Sequence, residues 1–169
     1  NLDLFFTTVY GVASFGRKNN PVLFRNQGDF KFINANTEAK LEGLGTTYQA
    51  AWADFDNDGD LDLMSAGRFF VNNNENTNHW LKVQLLSNKK TINRFAVGAQ
   101  VRLTLKDGRI ISRQVEAGTG QGNQNDLVLH FGLGSNNDPV DLNIFWPDGS
   151  TETLKQVQID QRLKIETKS

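Results

Sequence analysis

The sequence has no cysteine among its 169 residues and only two histidines. The first absence removes disulfides, thiolate nucleophiles and thiolate metal sites together. A hydrolase triad finds little support either. No Gly-x-Ser-x-Gly occurs, and His79 and His130 both lie in strand patterns. There is no long apolar run to span a membrane and no signal-peptide pattern at the start. The net charge is −1. Residues 1–78 carry 6 Lys/Arg against 10 Asp/Glu, and residues 79–169 carry 12 against 9. Neither half is basic enough for nucleic acid.

What the chain does have is aspartate. Trp52-Ala53-Asp54-Phe55-Asp56-Asn57-Asp58-Gly59-Asp60-Leu61-Asp62-Leu63 places five carboxylates at every second position. Such close like charges repel, and a cation is the simplest remedy. Hard oxygen donors without Cys or a neighbouring His indicate Ca2+. Asp54, Asp56 and Asp58 take the first, third and fifth places of a loop, and Gly59 the sixth, where a sharp turn favours positive φ. An EF-hand would carry Glu at the twelfth place, but Ser65 stands there. The flanks are short apolar runs, so the loop joins two strands rather than two helices. The expected ligands are the side chains of Asp54, Asp56, Asp58 and Asp62, with the backbone carbonyl of Asp60.

With its flanking Ala51-Trp52-Ala53-Asp54-Phe55 and Leu61-Asp62-Leu63, this stretch resembles the calcium loop of FG-GAP/VCBS repeats, found in blades of integrin-like β-propellers. Asn1-Leu2-Asp3-Leu4-Phe5-Phe6 aligns with Asp60 to Ser65 and reads as the tail of an earlier copy of the loop. Asp3 is expected there as an orphan ligand, and the chain as a fragment of a longer repeat protein. Val22 to Asn26, a turn at Gln27-Gly28-Asp29, and Phe30 to Ile33 read as a hairpin that also resembles a VCBS segment. Residues 34–45 read as a loop with one helical turn. Strands are expected at 46–55, 61–66 and 68–71. The polar run Asn72 to Asn78 marks a boundary between a truncated repeat region, 1–78, and a second domain, 79–169.

The second domain alternates throughout. Strands are expected at 80–86, 97–105, 110–115, 127–131, 141–146, 151–154 and 161–167. Asp107-Gly108 and Pro147-Asp148-Gly149-Ser150 supply the hairpin turns. The expected class is all-β: a partial propeller-type repeat followed by a β-sandwich or small barrel. Asn78-His79-Trp80-Leu81, Asn93-Arg94, Val97-Gly98-Ala99, Gly118-Thr119-Gly120, His130 to Gly134 and Trp146 to Gly149 resemble the ASPIC/UnbV domain. Phe95-Ala96 replaces an acidic-glycine pair usual in that family, and Gln121-Gly122-Asn123 replaces an aromatic and a serine.

Other constellations carry less. Gly118-Thr119-Gly120-Gln121-Gly122 lacks the spacing and the following helix of a phosphate loop, and is expected to be a mobile loop. Trp52, Trp80 and Trp146 would form a carbohydrate platform if exposed, but their strand patterns favour burial. Arg94 is expected in a buried or interface ion pair. Carboxylates that hold a metal are ionised ligands and poor proton donors, which weighs against a glycosidase.

The resemblances imply a non-enzymatic, extracellular or cell-surface adhesion module with structural calcium. It would meet a protein or glycan partner, or pair with a second copy through exposed strand edges. A lectin-like carbohydrate binder and an accessory component of a secreted enzyme are the alternatives.

Overall fold

The computed structural model describes residues 2–12, 14–74 and 77–167. The protein is all-β. Among the described residues the only helix-type element is a three-residue turn at Ser14–Gly16, in which Phe15 is left-handed with φ of 65°.

Two three-stranded antiparallel sheets form the N-terminal half. One has the order β1-β2-β3, from β1 (Leu4–Phe6), β2 (Val22–Asn26) and β3 (Phe32–Asn34). The other has the order β4-β5-β6, from β4 (Ala50–Ala53), β5 (Asp62–Ser65) and β6 (Arg68–Phe70). Between β3 and β4 lie turns, one closed by the Ala39 N–H donating to the Ala35 carbonyl. An edge-to-face contact of Phe5 and Trp52, centroids 5.9 Å apart, links the sheets.

The sheets repeat one device. Leu4 pairs with Phe24, and Leu63 pairs with Phe70. In each sheet the aspartate just before the leucine accepts an N–H from an asparagine two residues past the phenylalanine. The Asp3 carboxylate takes Asn26 N–H at 2.8 Å, and the Asp62 carboxylate takes Asn72 N–H at 2.8 Å. Asp3 joins no group of metal-ligating side chains among the described residues, but its carboxylate fixes a backbone donor that the sheet edge leaves over. Asn72 likewise belongs to the sheet rather than to a free linker. Glu75 and Asn76 of that linker, and Asn1 of the alignment, fall outside the described residues.

The C-terminal half places a pair of sheets face to face. Strands β7 (His79–Leu86), β10 (Leu129–Gly134) and β13 (Gln161–Glu166) form the first, ordered β10-β7-β13. The other, ordered β12-β11-β8-β9, comes from β8 (Gln100–Thr104), β9 (Ile110–Gln114), β11 (Val140–Phe145) and β12 (Thr151–Val157). Alternate residues of both sheets meet in one core that includes Leu81, Val83, Leu103, Phe131, Leu142 and Ile144. This is a sandwich; no sheet closes into a barrel. Both turn-marked hairpins form, as β8–β9 and β11–β12. The final strand, β13, pairs in parallel with β7, an arrangement without a local signal in the sequence.

Since β7 lies in mid-sheet, its two faces serve different ends. Leu81, Val83 and Leu85 enter the sandwich core. Trp80 and Lys82, on the opposite face, meet the aspartate loop.

Candidate metal centre

The loop runs from the end of β4 to the start of β5, as its apolar flanks require. Asp54, Asp56 and Asp58 each offer a carboxylate oxygen, and those oxygens lie within 4.8 Å of one another. Short-range bonds shape the turn: Asp58 N–H donates to Asp56 Oδ1 at 3.3 Å and Asp60 N–H to Asp58 Oδ1 at 2.9 Å. Asn57 and Gly59 take φ of 64° and 98°, the left-handed geometry predicted for the sixth place.

Asp54 is the buried member, its side chain 3% exposed. Its Oδ2 accepts from Gly59 N–H at 3.0 Å and from the Lys82 ammonium at 2.8 Å. Oδ1 is buried and has no hydrogen-bond partner among the described residues. An unpartnered carboxylate oxygen away from water carries a large desolvation cost. A hard cation placed among three converging carboxylates would remove it, so the donor set fits calcium.

The other two aspartates are placed differently. Asp62, 2% exposed, accepts Phe55 N–H on Oδ2 and Asn72 N–H on Oδ1, both at 2.8 Å. Its carboxylate ties the two ends of the loop to the sheet. Asp60 stands outside the converging trio.

The sandwich grips the loop from below. Lys82 also donates to Asn57 Oδ1 at 2.9 Å, and its ammonium lies 5.7 Å from the Trp80 ring centroid. His130 Nε2 bonds the Gly59 carbonyl at 2.7 Å. Gly59 rests so closely on Trp80 that a Cβ there would lie 2.1 Å from the indole nitrogen. Burial pushes the His130 imidazole below its usual value, so it is neutral and donates from Nε2. The strand pattern around His130 spoke only against a catalytic triad, and Lys82 gave no sign, because a lysine alternating with apolar residues looks solvated.

Just past residues 118–122, the stretch expected to be a mobile loop, residues 123–126 lie along the outer edge of β4. Trp52 N–H donates to Asn125 Oδ1, Asp126 N–H donates to the Trp52 carbonyl, and Asn123 Nδ2 donates to the Ala50 carbonyl. The amides of Asn123 and Asn125 satisfy donors and acceptors of an edge strand. Between loop and sandwich a cleft of about 170 Å³ is lined by Trp52, Asp54, Lys82, Arg113, Asn125 and His130.

The remaining candidates resolve into structural contacts. His79 Nδ1 meets Asp160 at 2.7 Å. Arg94 pairs with Glu166 at 2.8 Å, half-exposed. Trp146 is buried in the core, and Trp52 and Trp80 are half-buried at the junction. No tryptophan forms an exposed platform.

Residues 1–65 match the family model of the FG-GAP-like repeat, and residues 89–169 match that of ASPIC and UnbV. Over 156 residues, 88% of this chain, the sequence is 31% identical to cartilage acidic protein 1 of Homo sapiens and to that of Mus musculus. The Xenopus tropicalis protein of the same name is 32% identical over 143 residues. The matches cover 23%, 24% and 21% of those proteins, so the chain spans less than a quarter of the length of the curated relatives it matches. The chain thus joins an FG-GAP-like repeat region to an ASPIC/UnbV domain and is homologous to cartilage acidic protein 1. No helix among the described residues is long and apolar enough to cross a membrane.

Proposed function

We infer that the chain is a calcium-stabilised, non-enzymatic interaction module of an extracellular matrix or cell-surface protein. The carrying observation is the convergence of carboxylate oxygens of Asp54, Asp56 and Asp58, together with a buried, unpartnered oxygen on Asp54. Calcium would be held by those three carboxylates, with backbone carbonyls of the loop, Asp60 among them, completing an oxygen shell. Asp62 would serve mainly by closing the loop on β5. The metal supplies positive charge and fixed geometry, and no reaction is assigned to it. The extracellular setting is supported by the homology to cartilage acidic protein 1. The module would meet a protein or glycan partner, or a second copy of itself. The half-buried and buried tryptophans weigh against the lectin reading.

Thermal unfolding in calcium, in magnesium and in chelator tests this. With a Kd in the extracellular range of roughly 10⁻⁴–10⁻³ M, about 1 mM calcium adds on the order of 0.5–1.5 kcal/mol. Tm then rises by roughly 1–6 °C. The rise should be calcium-selective and disappear in Asp56→Ala. A melting curve indifferent to calcium would sink the metal reading.

A further inference from the structure

Lys82 is a lysine with nowhere to go. Its side chain is 4% exposed, and its ammonium is shared between Asp54 Oδ2 and Asn57 Oδ1 beneath the loop. It projects from mid-sheet β7 on the face opposite Leu81 and Val83, which are fully buried in the sandwich core and fix the backbone that carries it. The two oxygens of Asp54 are therefore divided. Oδ2 belongs to the sandwich and to Gly59, while Oδ1 is left without a partner. The charge count follows the same division. Three converging carboxylates and one ammonium leave two negative charges, which one divalent ion cancels.

We propose that Lys82 is a resident cation of the metal loop, which holds Asp54 in place without metal and sets the affinity and charge preference of the site from the sandwich. This rests on the calcium reading and adds to it a determinant outside the repeat. The ammonium and the metal bind opposite oxygens of one carboxylate. They repel each other, and each reduces the need for the other. Metal binding and the docking of loop on sandwich are thereby coupled. The sign is antagonistic: the loop is prearranged and stable when empty, at the cost of metal affinity.

The test uses the whole chain, with calcium and terbium titrated calorimetrically into wild type, Lys82→Met and Lys82→Gln. The methionine keeps the length and apolar stem; the glutamine keeps a hydrogen-bond donor but no charge. Both variants should melt lower than wild type in chelator. Both should bind calcium more tightly, on the order of tenfold, because a like charge a few ångströms away has gone. Terbium should gain more than calcium, since three carboxylates without the lysine balance a trivalent ion. A purely structural role for Lys82 leaves that ratio unchanged. If a variant unfolds without metal, its affinity is read by back-titrating the calcium-loaded protein with chelator. Equal or weaker calcium binding in the variants, or an unchanged terbium-to-calcium ratio, overturns the proposal and leaves the calcium reading standing. Wild type that takes up neither ion overturns both.

Discussion

The two halves of this chain are held together by different means. Every residue of the main core cluster lies between Leu81 and Ile165. Among the described residues of the first half the buried apolar ones are Pro21, Ala35, Leu41, Leu44 and Leu63, whereas Phe6, Tyr10, Phe15, Phe30, Phe55 and Phe69 are exposed. What orders the first half is polar. Asp3, Asp54 and Asp62 accept backbone N–H groups. Asn36 bridges Leu23 N–H and the Pro21 carbonyl, and Ser65 donates to the Gln49 carbonyl. The sandwich gains stability from area removed from water, and its strands tolerate polar exchange on their outer faces. The repeat region depends on individual carboxylates and amides, each with partners that a substitution would strand.

Truncation at the sandwich core should expose this contrast most strongly. Phe131 is fully buried, and Phe131→Ala should cost about 3–5 kcal/mol through lost burial and a residual cavity. In the first half Phe30 is 90% exposed with φ of 55°. Phe30→Asn should change stability by no more than about 0.5 kcal/mol, with asparagine well suited to that backbone. Urea unfolding of the two variants measures the gap. A Phe30 variant as damaging as the Phe131 one would mean that the first half has an apolar core not visible in its burial.

Asp62→Ala sharpens the polar side of the comparison. It strands the N–H groups of Phe55 and Asn72 beside a carboxylate position that is 2% exposed. A loss of about 2–4 kcal/mol follows, at roughly 1–2 kcal/mol for each part-buried donor left without its acceptor. Asp3→Ala removes the matching bond where the side chain is exposed and water can substitute. It should cost under about 1 kcal/mol. Equal losses, by denaturation in chelator, would show that the two copies of the device carry equal weight despite their different burial.

Legibility in the sequence divides along the same line. Hairpins β8–β9 and β11–β12 announce themselves because the turn residues sit beside the strands they join. The aspartate loop is equally local, and its spacing led to the trio that converges. The parallel pairing of β13 with β7, the laying of residues 123–126 along β4, and the burial of Lys82 all join residues remote in sequence. Lys82 and Asp54 are 28 positions apart, and Asn125 and Trp52 are 73. No local period records such contacts. Asp62 shows a further limit: its spacing suits a ligand, but only the fold reveals how fully its oxygens serve the backbone.

The smallest expected effect lies where the halves meet. Burial holds His130 below the ordinary imidazole value of 6.5, against its bond to the Gly59 carbonyl, which acts the other way. As pH falls through about 6.5, the unfolded chain takes up a proton that folded His130 resists. Stability from this group is complete above that pH, declines below it, and levels once the folded imidazole also protonates. Glu166, Asp141 and Asp148 are held below their usual values by Arg94, Lys155 and Ser150 respectively, so their contribution is lost only as pH falls through and below about 4.5. Unfolding in chelator from pH 8 to 3 should therefore show two separate declines. His130→Gln should remove the upper one and keep the lower one. His79 is present in both proteins, so the difference curve isolates His130. If the curves run parallel from pH 8 to 5, the junction does not depend on a neutral imidazole, and the loop is held by Lys82 and by the contact of Gly59 with Trp80.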